Sequence, residues 1–260
     1  MIKSVLPVIV VSVAAVALWY GLSTLVGTGL LPRPDQVLGA LGQSLFGWPL
    51  SSPRNLFYHA CVTAEEALLG LAVALVLGGV IATLIVHVKV LDRSLMPWVI
   101  ASQTIPVLAI APMVVVVVGN LGFSGLVPKV AIAAYLAFFP IVVGLVKGMR
   151  SPETIQFELL RTYSASESSI FSKLRLPASV AFLFPSLRVS AALAVMGAIV
   201  AELPTGAQAG LGARLLAGSY YGQTLMVWST LVAASLLSAV ILGAITLLEA
   251  GLRWHRGGRL

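Results

Sequence analysis

Residues Ser151 to Pro177 have the sequence SPETIQFELLRTYSASESSIFSKLRLP, a polar, charged segment between two long apolar stretches. The rest of the chain is far more apolar. Of the 260 residues, 59% are hydrophobic and 10% are charged, and the mean hydropathy is +1.02. Soluble domains carry about 25% charged residues. A water-soluble fold could not cover this much apolar surface, so we predict an integral membrane protein whose polar segment lies outside the bilayer.

Six stretches of the chain are long and apolar enough to cross a bilayer, which takes about 20 residues each. Lipid offers the backbone no hydrogen-bond partners, so we expect an all-α, polytopic fold. The first stretch follows Lys3 and could be a signal peptide, but its length and the lack of a clean cleavage site favour a retained helix. The predicted spans are about 5–26, 64–87, 96–118, 126–147, 179–201 and 225–249.

The positive charges predict the orientation, because Lys and Arg concentrate on the cytoplasmic side. With a cytoplasmic N-terminus, eleven of them are cytoplasmic and four are on the opposite side, so both termini and the polar segment are cytoplasmic. The net charge of +7 is then a topology signal and indicates no nucleic-acid partner. The cytoplasmic set is Lys3, Lys89, Arg93, Lys147, Arg150, Arg161, Lys173, Arg175, Arg253, Arg256 and Arg259, and the opposite set is Arg33, Arg54, Lys129 and Arg214.

The third predicted span is interrupted by Pro97, Pro106 and Pro112, with Gln103 and Thr104 just before the middle proline. Prolines in a membrane helix free carbonyl groups that need other partners, and broken helices of this kind often line a cavity. Two interpretations stay open. The span lines a path, or it is a kinked packing helix whose Gln103 is satisfied by its neighbours.

The fifth predicted span contains two ionisable residues, Arg188 and Glu202. They are 202 − 188 = 14 residues apart, about 21 Å along a helix, so they cannot pair. A carboxylate inside a span suggests a functional role. The alternative for Glu202 is a structural acid bonded to the following loop, 203–212. For Arg188, a structural or snorkelling role competes with a role in a path.

Two short helices are predicted within the polar segment. Ser151 before Pro152 is typical of a helix start, because a hydroxyl caps the first turn and proline tolerates the first helical position. This first helix should end at Leu160 or Arg161.

The second helix should begin with a capping box at Ser164 to Glu167 and continue to about Lys173, with Pro177 breaking the chain before the next span. A helix this short is marginal alone. We therefore expect it to dock onto a partner through an apolar surface formed by Ile170 and Phe171.

The polar segment resembles the EAA loop of inner-membrane permease subunits of binding-protein-dependent ABC importers. That loop has Glu-Ala-Ala, three further residues, Gly, and later Leu-Pro. Glu158 matches the glutamate, Ser164 falls at the glycine, and Leu176-Pro177 match the Leu-Pro. Leu159-Leu160 replace the two alanines.

Other stretches extend the resemblance to nearly the whole chain. Pro32 to Val37 resembles the outer-loop motif of the nitrate, sulfonate and taurine branch of these permeases, and Gln103 to Gly119 resembles its third span. Leu187-Arg188 and Ala201-Glu202 resemble its fifth span. Arg161 to Tyr163, with Lys173 to Ser179, is similar to relatives that import pyrimidine-type thiamine precursors.

The resemblance implies a type I importer permease of MetI-like fold in the bacterial inner membrane. Its expected partners are a second permease copy in a homodimer, two cytoplasmic ATPase subunits, and a periplasmic or lipid-anchored substrate-binding protein. The expected cargo is a small solute, either a sulfonate- or nitrate-like anion or a pyrimidine-like ring compound. Residues 1–58 would form the first transmembrane helix and outer loop, and 59–260 the permease domain with the coupling loop 151–177.

The resemblance also implies roles for individual residues. Contacts that couple the permease to the ATPase are expected at Glu158, Arg161, Ser164, Ala165, Ser166, Glu167, Phe171, Leu176 and Pro177. Candidates for the translocation path or its gate are Gln103, Thr104, Pro106, Arg188 and Glu202.

The sequence has no Gly-x-x-x-x-Gly-Lys-Ser/Thr phosphate loop. If transport is driven by ATP, the nucleotide must therefore bind to another chain, and the resemblance implies ATP and Mg²⁺ on the partner ATPase. We expect no catalytic site and no bound cofactor or metal on this chain. An ion-coupled secondary transporter is the alternative, but such proteins often show paired broken helices and only one proline-broken span is visible. A membrane enzyme would need clustered catalytic groups, whereas His59, His87 and His255 are scattered.

Overall fold

The computed structural model describes residues 2–255, which form helices joined by turns and confirm the all-α fold. Arg256 and Arg259 of the charge count lie outside the described residues. A 3₁₀ turn spans Ser102–Thr104 and a π turn spans Phe171–Arg175. The α-helices are α1 Ile2–Val26, α2 Pro34–Phe46, α3 Leu56–His87, α4 Lys89–Ala101, α5 Val107–Asn120, α6 Leu126–Met149, α7 Thr154–Thr162, α8 Glu167–Ile170, α9 Leu176–Glu202, α10 Leu211–Tyr220 and α11 Thr224–His255.

Five helical stretches within residues 2–255 are long and apolar enough to cross a membrane: Ile9–Val26, Leu56–His87, Leu126–Met149, Glu167–Glu202 and Thr224–Trp254. A sixth is obtained if Lys89–Thr104 and Val107–Asn120, which are bent by 107°, count as one span. Each stretch overlaps one of the six predicted spans, but Leu56–His87 and Glu167–Glu202 begin well before the predicted starts at 64 and 179. The predicted third span is the bent pair.

The chain divides into two compact units, as far as it is described. Of the described residues, unit 1 comprises 2–62 and 208–236, and unit 2 comprises 63–207 and 237–255. Unit 1 therefore contains α1, α2, α10, the start of α3 and the first part of α11. Unit 2 contains the remaining helices, among them the bent span and the polar segment.

Aromatic and polar contacts hold unit 1 together. The Trp19 ring lies 5.3 Å from the Trp228 ring, and its Nε1 donates a hydrogen bond of 3.1 Å to the carbonyl of Pro32. The Arg33 guanidinium lies over the Tyr20 ring at 5.6 Å. These contacts join α1 to the loop before α2 and to α11.

The buried His59 side chain fastens the loop that enters α10. The Gly210 N–H donates to Nδ1 at 2.9 Å, so the neutral ring carries its proton on Nε2, which donates to the Pro53 carbonyl at 2.8 Å. Further along α10, burial lowers the pKa of the Arg214 guanidinium from its ordinary value. That ordinary value is so high that the side chain remains cationic.

Close helix contacts form the core of unit 2. A Cβ atom on Gly197 of α9 would lie 2.8 Å from Cα of Ala133 in α6, and one on Gly70 of α3 would lie 2.5 Å from Cβ of Ala133. Near the other end of α6, a Cβ on Gly148 would lie 2.6 Å from Cα of Ser179 in α9. Glycine thus permits the close backbone approach that stabilises helix pairs in lipid. The α6–α9 pair is the framework that positions the candidate site.

Candidate functional site

The bent span breaks where its middle proline predicts. The helix α4 ends at Ala101, the 3₁₀ turn follows, and Ile105 has the extended conformation (φ −84°, ψ 124°) favoured before proline. Pro106 then caps α5. Pro97 and Pro112 lie inside α4 and α5 without ending them. The break therefore arises at one proline of three, where the polar residues also lie.

The turn at the break is held by its own hydroxyl groups and by α6. The Ser102 hydroxyl donates to the Val99 carbonyl at 2.7 Å, and the Thr104 hydroxyl donates to the Ala101 carbonyl at 2.8 Å. Tyr135 of α6 donates its phenolic hydrogen to the Ser102 carbonyl. The carbonyl groups freed by the break are thus partly satisfied, and the Thr104 hydroxyl is used locally.

Two cavities of about 270 Å³ and 660 Å³ lie beside the break, against α6 and α9. Gln103, Phe139 and Leu193 line both of them, so the two are neighbouring parts of one groove. Pro106 and Tyr135 line the smaller part. Of the two interpretations of this span, the one that puts it beside a cavity agrees with the lining, which includes Gln103 and Pro106.

The groove is chiefly apolar and aromatic. Lys147, whose Nζ lies 5.7 Å from the Phe182 ring centre, lines the larger part. It is the one charged residue among the described residues that line either cavity. Gln103 and Ser186 add an amide and a hydroxyl. Such a groove can hold a small, partly polar solute, since ligand pockets combine apolar walls with a few polar groups.

Glu202 belongs to a buried polar cluster in unit 2, which we define as Thr63, Glu66, Lys129 and Glu202. The Thr63 hydroxyl donates to Oε1 of Glu202 at 2.6 Å, and Nζ of Lys129 lies 2.6 Å from Oε1 of Glu66. The Glu66 and Glu202 carboxyl groups are close enough to interact. The cluster therefore links α3, α6 and α9 by charged and hydrogen-bonded contacts.

Sequence reasoning identified Glu202 and missed its neighbours. The charge count used Lys129 only as a topology signal on the side opposite the cytoplasm, and it lies in the first turn of α6 with 10% of its side chain exposed. Glu66 lies inside the predicted span 64–87. The presence of an acid within a span could have revealed the pair, because such residues almost always have a buried partner.

Arg188 forms an ion pair instead of lining the groove. Its Nη1 lies 3.2 Å from Oε2 of Glu249 in α11, and Nη2 of Arg253 lies 2.5 Å from Oε1 of the same carboxylate. The Glu249 side chain is 6% exposed. Arg188 thus fastens α9 to α11, in agreement with the structural interpretation of this residue.

The first helix of the polar segment is present but begins later than predicted. Helix α7 starts at Thr154 after Glu153, whose N–H donates to Oε1 of Gln156 at 3.0 Å. The predicted cap at Ser151 is wrong. Its hydroxyl donates to the Gly148 carbonyl at 2.8 Å and so closes the end of α6. The Ser151 hydroxyl could bond either at the end of α6 or at the start of the next helix, and it bonds at the end of α6.

The predicted capping box at Ser164 is also wrong. Ser164 has φ +52°, the left-handed conformation, and cannot cap a following helix. Helix α8 is instead capped by Ser166, whose hydroxyl oxygen accepts from the Ser169 N–H at 3.3 Å. Glycine adopts a positive φ without steric cost. This explains the glycine at the position of Ser164 in the loop that the segment resembles.

Pro177 does not break the chain before the fifth span. Helix α8 continues through the π turn, where the Leu176 N–H bonds to the Phe171 carbonyl, into α9. The whole stretch Glu167–Glu202 is one helical span of 36 residues. The predicted break is wrong because Pro177 lies in the first turn of α9, where the wider π turn accommodates a residue without an N–H.

The predicted apolar docking surface of the second helix is wrong as well. Ile170 is 2% exposed, and Phe171 packs edge-on against the His87 ring at 4.9 Å. Both residues therefore face the interior of unit 2.

The most exposed apolar residues of the segment lie on α7 and at its C-terminal end. Ile155, Leu159 and Tyr163 are 67%, 57% and 79% exposed. Residues four apart lie on one face of a helix, so these three form a stripe. Sequence reasoning missed the stripe because it took the second helix as the docking element. Of the nine residues expected to couple to a partner, Ala165 and Phe171 are half-buried and the others are exposed: Glu158, Arg161, Ser164, Ser166, Glu167, Leu176 and Pro177.

Comparison with known proteins agrees with these features. The family model described as "Binding-protein-dependent transport system inner membrane component" matches residues 74–254. The chain is 36% identical to the formylaminopyrimidine transport permease protein ThiX of Halalkalibacterium halodurans over 70% of this chain and 68% of that protein. It is 30% identical to the riboflavin transport system permease protein RibX of Chloroflexus aurantiacus, over 87% and 81% respectively. It is 26% identical to the putative aliphatic sulfonates transport permease protein SsuC of Bacillus subtilis, over 92% and 84%.

Proposed function

Because the chain belongs to the family of binding-protein-dependent transport system inner membrane components, we propose that two copies of it form the translocation path of an importer driven by two cytoplasmic ATPase subunits. The chain itself is a multi-pass permease subunit of a type I ABC importer. A substrate-binding protein would deliver the solute from outside the bacterial inner membrane, with both permease termini in the cytoplasm. ATP and Mg²⁺ would be bound by the ATPase subunits.

The observation that carries the proposal is the exposed stripe on the polar segment. We define the docking face as Ile155 and Leu159 of α7, Tyr163 directly after its last residue, and the turn Ser164–Ser166. Contiguous apolar surface on an otherwise polar element marks an interaction site. Helix α7 contains no fully buried residue, and a partner would cover its exposed apolar side chains. Glu158, Arg161 and Glu167 would surround the face with charges, and Leu176 and Pro177 lie where the segment joins α9.

Purification of the importer from its native membrane tests this proposal. Wild-type permease should retain a phosphate-loop ATPase, and Leu159→Glu and Ser164→Arg should lose it while remaining in the membrane, since each puts a charge into the docking face. Ser164→Gly is the matched control, because glycine suits the positive φ of this turn. Full ATPase content in the Leu159→Glu and Ser164→Arg preparations would exclude this docking face.

We assign the translocation path to the groove beside the bent span, with Gln103 and Pro106 in its lining and Thr104 at the turn. Its lining supports a neutral, pyrimidine-like ring compound over a sulfonate- or nitrate-like anion. Phe139 and Phe182 offer ring faces, and Lys147 is the sole cation among the described lining residues. Stacking on aromatic rings contributes about 1 kcal/mol beyond burial.

Competition for uptake tests the assignment of cargo. Cells that carry the importer should take up a labelled neutral aminopyrimidine in an ATP-dependent manner. An excess of the unlabelled aminopyrimidine should inhibit this uptake, and an alkanesulfonate of similar size should not. Phe139→Ala should weaken this inhibition and Phe139→Tyr should preserve it, because tyrosine keeps the ring. Inhibition by the sulfonate alone would overturn the assignment.

Glu202 remains a candidate gate residue at the end of α9. Glu202→Gln keeps the shape of the side chain and removes its charge. If Glu202 acts in the transport cycle, the uptake rate of the variant should fall by a larger factor than the amount of permease in the membrane. Equal losses of uptake and of protein would instead support a purely structural acid.

A further inference from the structure

We propose that Arg175 is a positioning residue that transmits the movement of α7 to the α6–α9 pair, an inference that rests on the proposed docking of α7 to an ATPase. Arg175 ends the π turn, directly before α9. Its Nη1 donates to the Met149 carbonyl at the end of α6, at 3.4 Å. Its guanidinium carbon lies 4.9 Å from the centre of the Phe157 ring in α7. One side chain thus joins three helices of unit 2.

The geometry of α7 makes this contact the inward counterpart of the docking face. Successive residues of a helix are rotated by about 100°, so Phe157 is about 200° from Ile155 and from Leu159. The exposed stripe therefore faces outward, while Phe157 faces Arg175. Phe157 is half-buried although α7 contains no fully buried residue. A displacement of the docking face would therefore move Phe157 and, through the ring contact, the guanidinium of Arg175.

The chemistry of both contacts is specific to arginine. Arg175 has no carboxylate partner among the described ion pairs. Its positive charge is held instead by a carbonyl at the C-terminal end of α6, where the helix dipole is negative, and by an aromatic face. The planar guanidinium can stack on a ring and donate in its own plane at once, whereas a lysine ammonium has no planar face to stack and is more strongly hydrated.

The backbone around Arg175 is suited to transmission. The π turn connects α8 to α9 without a break, so a displacement at Arg175 passes into a continuous helix. Turns of this kind occur frequently at functional sites. The contact with Met149 passes the same displacement to α6, whose last turn packs on α9 at Gly148.

The test separates transmission from docking and from folding. Spin labels are placed at the exposed positions Val90 of α4 and Ala181 of α9, after replacement of the exposed Cys61 by serine. The complete importer is reconstituted in liposomes, and the distance between the labels is measured without nucleotide and after trapping with ATP and vanadate. ATPase content and hydrolysis rate are measured on the same samples.

The complexes with Arg175→Ala and with Arg175→Lys should retain the ATPase and hydrolyse ATP. The fraction of molecules with a shifted distance should nevertheless fall at least about fivefold, which is the smallest factor typical of coupling between two sites. Lys173→Ala, which removes an exposed charge from the same turn, should behave as wild type. Phe157→Leu should reproduce the defect, and Phe157→Tyr, which keeps the ring, should not. Because both residues act through one contact, the double variant Phe157→Leu with Arg175→Ala should be little worse than either single variant.

Three results would overturn the inference. An undiminished shift in Arg175→Ala would show that the residue transmits nothing. Parallel loss of ATPase content and of the shift would make Arg175 part of the docking contact instead. Absence of an ATPase from the wild-type complex would remove the proposed function and this inference with it.

Discussion

The two ends of α6 each carry an ion pair, and the two pairs differ in their surroundings more than in their geometry. Near the N-terminal end, Lys129 lies 2.6 Å from Glu66, with 10% and 2% of the side chains exposed. After the C-terminal end, Arg150 lies 2.9 Å from Asp92, with 44% and 31% exposed. Water screens the second pair and not the first. Distance alone therefore does not rank the two contacts, whereas burial does.

The difference suggests which parts of unit 2 can move. The buried pair fixes α3 to α6, and glycine contacts fix α6 to α9 near both of its ends. The exposed pair joins α6 to α4, the first arm of the bent span. We therefore expect α6 and α9 to move as one body, with the bent span changing position against them.

The largest effect should come from breaking the buried pair. Lys129→Met leaves the Glu66 carboxylate buried without its cation, which should lower the free energy of unfolding by about 3–5 kcal/mol. Unfolding of the purified permease by SDS in mixed micelles measures this quantity.

Removal of the second charge is the control for this prediction. Lys129→Met combined with Glu66→Gln should recover much of the loss, because the carboxylate that faces Lys129 is gone and the remaining acid, Glu202, still accepts from Thr63. If Lys129→Met alone costs no more than about 1 kcal/mol, the size of a surface pair, the contrast between the two ends of α6 is wrong.

An intermediate effect is expected where α3 meets α6. A Cβ on Gly70 would lie 2.5 Å from Cβ of Ala133, so Gly70→Ala should separate the helices and cost about 1–3 kcal/mol. Gly79→Ala on the same helix is the matched control, since nothing lies within 4 Å of its Cβ. The thermal unfolding midpoints of the two variants should differ clearly. Equal midpoints would show that α3 and α6 can separate enough to fit the added methyl group at little cost in stability.

The smallest effect should come from the exposed pair. Arg150→Gln should cost at most about 1 kcal/mol, and raising the salt concentration should shrink the difference from wild type, because exposed charges are screened. The same SDS titration at low and high salt measures both values. A loss as large as that of Lys129→Met would mean that α4 is held as firmly as α3.

Hydropathy and proline placement predicted much of the fold. The six spans depend on apolar stretches of about 20 residues, and the break before Pro106 depends on a missing N–H and on the restricted residue before it. Both signals are local. The first helix of the polar segment was also predicted, because charged residues interrupt the apolar pattern there.

The details of the site depend on contacts that local patterns do not contain. Lys129 and Glu66 are 63 residues apart in sequence and meet only through helix packing. Ser151 was predicted to start one helix but closes another, and Phe171 was predicted to face a partner but packs against His87. Tertiary packing decided the role of Phe171, whereas for Ser151 a local bond to a carbonyl three residues earlier prevailed over the predicted cap.

A comparison of two distances in the reconstituted importer tests the central claim that α6 and α9 move together against the bent span. One pair of spin labels joins Val127 of α6 to Ala181 of α9, and the other joins Val90 of α4 to Ala181, all exposed positions. Trapping with ATP and vanadate should shift the Val90–Ala181 distance and leave the Val127–Ala181 distance unchanged. An equal or larger shift between Val127 and Ala181 would contradict the account.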